Sequence, residues 1–129
     1  EYRETYDETY IRRLLGKLSE LGAKKAFLTG VSLSEGKTGV YGIDGGTGEY
    51  TIYQNAHVNA AFHGTGDIFA SVAIGGLVRG LPLYDAFKIA ADYTADTIRA
   101  TLGNPDKPWY GVDFEATIPG LLKTLGKYI

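Results

Sequence analysis

HGTGDIFAS, His63 to Ser71, sets two glycines, a threonine and an aspartate directly ahead of an apolar run with helical character. The start of a helix leaves several backbone N–H groups unpaired and pointing out along the axis. The helix dipole adds partial positive charge at the same end. Glycine lets the backbone approach a ligand closely and take dihedrals that other residues resist. A glycine-rich turn into a helix is therefore an anion cradle suited to phosphate. Asp67 is the odd member, because a carboxylate repels phosphate. It fits if it handles a proton: a hydroxyl attacking a phosphoryl group must lose one, and a carboxylate beside the cradle can take it. The plainer alternative is a helix cap, with Thr65 capping and Asp67 as a dipole-friendly acid in the first turn. No Gly-Lys-Ser/Thr follows, so this is not a Walker A loop.

Outward from this stretch the chain alternates helices and strands. TYDETYIRRLLGKLSELG reads as an amphipathic helix, with Thr5 and Glu8 at capping-box spacing. Ile11, Leu14, Leu15, Leu18 and Leu21 lie on its apolar face and Gly22 ends it. KKAFLTG follows as a short buried strand, which makes a helix–strand unit of the α/β kind. TGVYGID and EYTIYQ are two more strands, joined by a hairpin turn at Gly45 to Gly48. AHVNAAFHGTGD is a loop, and a helix runs from about Thr65 to Val78. LPLYDAFKIAADYTADTIRATL is the next helix, with Pro82 near its first turn and Ala86, Phe87, Ala90, Ala91 and Thr94 on one face. GNPDKPWYG is a loop. DFEATIPGLLKTLGKYI closes the chain as a helix that tolerates Pro119 only near its start.

The 129 residues suffice for one domain with a single core. With 44% hydrophobic and 22% charged residues the composition is that of a soluble globular protein. A net charge of −2 gives no basic surface and argues against nucleic acid as a partner. No apolar run reaches the length of a membrane span, and the opening residues do not read as a secretory signal. The absence of cysteine removes disulfides and thiolate metal sites, and a cytoplasmic location is the default expectation. There is no methionine, even at position 1, and EYRETYDETY reads as a lead-in to a helix. Both lead to the expectation that the chain is part of something longer, or has lost a leader.

HGTGDIFASVAIGGLVRGLPLYDAFKIAADYTADTIRAT resembles the C-terminal part of the ribokinase-like superfamily, and within it the pyridoxal/pyridoxamine kinase branch. The matching features are the Gly-Thr-Gly-Asp turn, the small-residue helix Ser71 to Gly76, the turn Gly80 to Leu83 and the alanine-rich helix Ala86 to Thr101. PWYGVDFE and LSELGAKKAFLTGVSL are similar to later and earlier parts of the same branch. The resemblance implies one domain over residues 1–129, the C-terminal half of a three-layer α/β/α kinase. It implies transfer of the γ-phosphate of ATP, with Mg²⁺, to the 5′-hydroxyl of pyridoxal, pyridoxamine or pyridoxine. Asp67 matches the catalytic base, and Gly64, Thr65 and Gly66 match the anion hole. Thr29 and Gly30 match the strand end that meets the nucleotide, and Ser32 stands nearby. The loop 55–62 and the helix near Ala91 to Thr94 lie where the family frames the adenine.

The family's N-terminal half, with most of the sheet, the substrate pocket and the magnesium-holding motif, is not among these 129 residues, so they are expected to be a C-terminal fragment or a shortened relative without a substrate pocket. The chain is therefore expected to associate with that half or with a second copy, since a bare half exposes a sheet edge and an apolar face. The neighbouring reading is hydroxymethylpyrimidine kinase of the same superfamily. The reading from another class is a catalytically silent nucleotide-binding or oligomerisation module. His57 has no companion at metal-ligand spacing, so no metal site is assigned. His63 is read as a positioning residue, Ser71 lacks a base partner for nucleophilic work, and Arg79 and Arg99 read as solvated helix faces. Gly75 and Gly76 are read as close packing of a helix on a strand, and Trp109 and Tyr110 as surface packing.

Overall fold

The computed structural model describes residues 6–107 and 109–128. The chain divides between Ala56 and His57 into two compact units.

The first unit is one helix on a three-stranded sheet. Helix α1, Glu8–Glu20, is capped by Asp7, whose Oδ1 accepts from the Tyr10 amide at 2.8 Å. Thr5, the cap expected from the sequence, lies outside the described residues. The short Asp7 carboxylate reaches the amide three residues on, as a good N-cap does. At the other end Gly22 (φ 106°) turns the chain left-handed, with the Gly22 amide donating to the Ser19 carbonyl and the Ala23 amide to that of Leu18. This is a Schellman stop, the role expected of that glycine.

Strands β1 (Lys25–Val31), β2 (Lys37–Asp44) and β3 (Glu49–Ala56) pair antiparallel in chain order. Ile11 and Leu15 of α1 pack on Ala26, Val31, Tyr41 and Ile43, with Tyr10, Tyr50 and Ile52 around them. The Tyr50 hydroxyl donates to the Arg12 carbonyl, and the Arg12 guanidinium lies 4.5 Å from the Tyr50 ring centre. β1 departs from the expected buried strand. Only Ala26 and Val31 are buried, and Lys25, Thr29 and Gly30 are exposed. It pairs on one side with β2 and does not lie at the centre of the described sheet.

The hairpin at Gly45 to Gly48 is held from Asp44. Its Oδ1 accepts from the Gly46 amide at 2.9 Å and its Oδ2 from Lys25 Nζ at 2.8 Å, across a directly opposed pair. The Lys25 ammonium first, and the Gly46 amide next, hold the Asp44 carboxyl below the ordinary carboxylate value. The folded state therefore prefers the ionised form. That preference is fully present above the ordinary value of 3.8 and is lost as pH falls through the lower folded value. Asp44→Asn is expected to flatten this part of the acid limb in urea titrations at stepped pH. An unchanged limb would show that the turn does not respond to Asp44.

The second unit is helical. After an irregular stretch, α2 spans Thr65–Val78 and α3 spans Leu83–Gly103. Gly80 (φ 85°) ends α2 with the same Schellman pattern, Gly80 amide to Leu77 carbonyl and Leu81 amide to Gly76 carbonyl. The two helices meet closely at Gly76, where an added Cβ would stand 3.2 Å from that of Ala86. The partner of Gly76 is thus a helix and not a strand, and Gly75 faces open space. Phe69 and Phe87 place their ring centres 6.5 Å apart beside this contact. The buried face of α3 is broader than expected, adding Ile89, Tyr93, Ala95, Thr97 and Thr101. The Thr97 and Thr101 hydroxyls each donate to the carbonyl four residues back, so these polar groups are buried without cost. A 3-10 turn, Glu115–Thr117, leads into α4, Ile118–Leu125, with Pro119 in its first turn as expected. Among the described residues no helix is long and apolar enough to cross a membrane.

Candidate anion-binding site

The residue ahead of α2 is Gly64, at φ 88° and ψ −5°. No side chain caps this helix. The Thr65 hydroxyl, the expected cap, donates instead to the Phe62 carbonyl at 3.3 Å. The reason lies one residue earlier: with Gly64 as the cap, Thr65 is already the first helical residue and its hydroxyl points back to the loop. The first intrahelical bond runs from the Ile68 amide to the Gly64 carbonyl. The first-turn amides, those of Thr65, Gly66 and Asp67, are left to whatever stands in front of the helix. Gly64, Gly66 and Asp67 are exposed, and nothing lies within 4 Å of a Cβ added at either glycine. The backbone is thus open to close approach, and Asp67 stands at its rim in the first turn.

Gly64→Ala is expected to cost about 1–2 kcal/mol, because the strain is in the left-handed backbone and not in crowding. Gly66→Ala, on helical backbone with open space, is expected to hold or slightly raise stability. Urea midpoints of the two variants check the contrast, and equal midpoints would contradict it.

Thr29, Gly30 and Ser32 belong to the first unit and the 64–67 turn to the second. Thr29 and Gly30 occupy a feature the sequence reading missed. Leu28 pairs with Tyr41 and Val31 with Gly39, so β1 carries one extra residue, and Gly30 takes φ 68°. This is a β-bulge with a left-handed glycine, a device that re-aims side chains and is frequent beside functional sites. The Thr-Gly pair at the end of an apolar run was the available signal. Ser32 is already engaged: its hydroxyl lies 3.3 Å from that of Thr38, and its amide donates to the Tyr6 hydroxyl at 3.4 Å.

Of the region expected to frame adenine, Ala91 and Thr94 are half-buried on α3, and the Thr94 hydroxyl donates to the Ala90 carbonyl. His63 is exposed, and a Cβ added at Gly111 would stand 3.4 Å from its carbonyl oxygen. The chain after Trp109 and Tyr110 therefore runs directly beside the residue that precedes the Gly64–Asp67 turn, a juxtaposition that local sequence patterns do not reveal. Trp109 itself is 93% exposed, which corrects the surface-packing expectation. Arg79 and Arg99 are exposed, the latter paired with Asp96 at 2.9 Å. A cavity of about 620 Å³ lies between α3 and α4, lined by Lys88, Asp92, Tyr93, Leu121 and Tyr128 among others, and includes none of residues 64–67. Among the described residues no group of three His, Asp or Glu side chains could hold a metal ion. The described residues alone do not make a magnesium site.

Comparison with known proteins adds the lineage. Residues 2–108 match the family model described as phosphomethylpyrimidine kinase. No curated protein sequence matches significantly. A candidate phosphomethylpyrimidine kinase from Bacteroides thetaiotaomicron superposes with a TM-score of 0.85 at 28% identity, over 93% of this chain and 41% of that one. Its second crystal form, with pyridoxal, gives a TM-score of 0.83 over 93% and 43%. Pyridoxal kinase from Lactobacillus plantarum gives 0.79 at 24% identity, over 98% of this chain and 45% of that one. The chain thus spans less than half the length of these solved proteins. With the family model matching most of its length and these folds superposing on it, the chain has a ribokinase-like α/β fold and belongs to the phosphomethylpyrimidine kinase family.

Proposed function

We propose that this chain supplies the anion hole and the base of an ATP-dependent kinase that phosphorylates the 5′-hydroxyl of pyridoxal, pyridoxamine or pyridoxine. One observation carries the reading: a left-handed glycine opens α2 with no side chain on its first-turn amides, and a carboxylate stands in that same turn. In the proposed reaction the substrate hydroxyl oxygen bonds to the γ-phosphorus and the bond to the β–γ bridging oxygen breaks. ADP departs with that oxygen, and the hydroxyl proton passes to Asp67 and then to water. The Thr65 and Gly66 amides, with the dipole of α2, face the charge on the transferring group. Such donors are fixed before the reaction and need no rearrangement during it. Thr29 and Gly30, at the bulge, are proposed to meet the nucleotide. ATP and Mg²⁺ are the proposed co-substrate and ion, the ion held by groups mostly outside this chain.

Residues 1–129 are proposed to form the C-terminal half of one kinase domain. The span of less than half of the solved neighbours supports this. So does α2, an apolar helix that leaves Ile74 53% and Val78 82% exposed. A helix hydrophobic all round belongs inside a larger core. The partner is then the remaining half of the fold, with a homodimer as the other association to test.

Hydroxymethylpyrimidine kinase is the second reading, favoured by the description of the family model. PWYGVDFE and the pyridoxal-bound neighbour favour the B6 vitamers. The intact gene product should be incubated with ATP and, separately, each vitamer and hydroxymethylpyrimidine, with phosphorylated product read by mass. A vitamer phosphate ester is the expected outcome. Faster turnover of the pyrimidine would replace the first reading by the second. ATP binding with no product from any acceptor would leave a silent nucleotide-binding module.

A further inference from the structure

We propose that Trp109 and Tyr110 form a stacking corner for a flat heteroaromatic ring whose ligand reaches the Gly64–Asp67 turn, an inference that rests on the kinase reading above. Large aromatic rings are mostly buried in folded proteins, because leaving them in water forfeits a large hydrophobic gain. Here Trp109 is 93% and Tyr110 68% exposed. The two rings stand at 87° with centres 5.7 Å apart, edge against face. A right-angled pair leaves an open ring face with a wall beside it, the shape that receives a third flat ring.

The residues that follow are braced. Val112 is buried, the Asp113 amide donates to the Thr101 hydroxyl at 2.9 Å, and Asn104 Nδ2 donates to Asp113 Oδ2 at 3.0 Å. Thr101 is itself fully buried on α3. The pair therefore projects from an anchored base, and that base passes His63, the residue directly before the anion hole. Contacts within this chain leave both rings displayed there. The proposed reaction provides two ligands of matching chemistry, the nucleobase of ATP and the pyridine or pyrimidine ring of the acceptor. Each carries its reacting oxygen or phosphate on a tether from a flat ring, and stacking on an aromatic side chain tolerates either.

The test uses the intact gene product, with W109A, W109F and Y110A, and separate KM values for ATP and for the acceptor. Tripolyphosphate, which has phosphates and no ring, serves as a competing control, and the thermal midpoint reports folding. W109A is expected to raise one KM by roughly 5- to 100-fold, the range that loss of one stacked base implies. W109F restores most of that loss. The kcat, inhibition by tripolyphosphate and the thermal midpoint stay near wild type. A rise in the KM for ATP assigns the corner to the nucleobase, and a rise in the KM for the acceptor assigns it to the acceptor ring. Two KM values within about twofold of wild type in an active W109A enzyme, or a lowered midpoint that explains the loss, overturn the stacking corner and leave the kinase reading standing. A wild-type protein that turns over no acceptor removes the kinase reading, and this inference with it.

Discussion

Asp67→Asn is expected to lower turnover of the intact enzyme by about 10²- to 10⁴-fold, while the KM for ATP stays within roughly threefold of wild type. Asparagine keeps the size and the first-turn position of the side chain and loses the ability to accept a proton. The substitution therefore isolates base chemistry from positioning. Stability should be nearly unaffected, because Asp67 is exposed and its carboxylate is not what caps α2. Initial rates with ATP and a B6 vitamer, set beside a thermal melt, read both quantities. A variant turning over within about threefold of wild type would show that the hydroxyl loses its proton elsewhere. The base assignment would then be lost, even if the anion hole survived.

Phe87→Ala is expected to destabilise the second unit by about 3–5 kcal/mol. Phe87 is fully buried at the α2–α3 contact, with Phe69 on one side and the Gly76–Ala86 approach close by. Truncation removes the transfer energy of the ring and leaves a hole. The helices cannot close it, because they already touch through a glycine and an alanine. Since whole domains are stable by only about 5–15 kcal/mol, a loss of this size would bring unfolding close to ambient conditions. Phe87→Leu, which keeps most of the volume, should cost less than about 1.5 kcal/mol. Urea midpoints on the three proteins decide the matter. An alanine variant within about 1 kcal/mol of wild type would mean that the helices repack freely.

Much of this was legible in local chemistry. Gly22 stops a helix because it alone enters the left-handed region without strain, and Gly45 to Gly48 turn a hairpin for related reasons. The bounds of α2 followed from the switch between loop glycines and apolar residues at Thr65, and from Gly80 beyond Val78. What local patterns could not supply was choice among neighbours. Asp7 and Thr5 are both good caps, and the resolved cap is the one whose carboxylate meets the Tyr10 amide. Thr65 looked like a cap because threonine usually is one, but Gly64 can take a backbone that threonine resists and so moves the helix start back. The bulge at Thr29 and Gly30 depends on the register with β2, which lies elsewhere in the chain. The partner of Gly76 is set by where α3 folds, and Gly111 comes beside His63 in a segment whose Asp113 amide is bonded to the distant Thr101. Each of these is a long-range fact with no short-range signature.

The exposure of Trp109 has a practical consequence for anyone following the folding of this chain by light. It is the only tryptophan, and its indole already stands in water in the native state. Its emission should therefore scarcely change on unfolding, so a melt read at tryptophan wavelengths would run flat through a cooperative transition. The tyrosines carry that signal instead: Tyr41 is buried in the first unit and Tyr93 in the second. Each unit thus has its own intrinsic reporter, and tyrosine emission from chains lacking one or the other would show whether the two units melt together or in sequence.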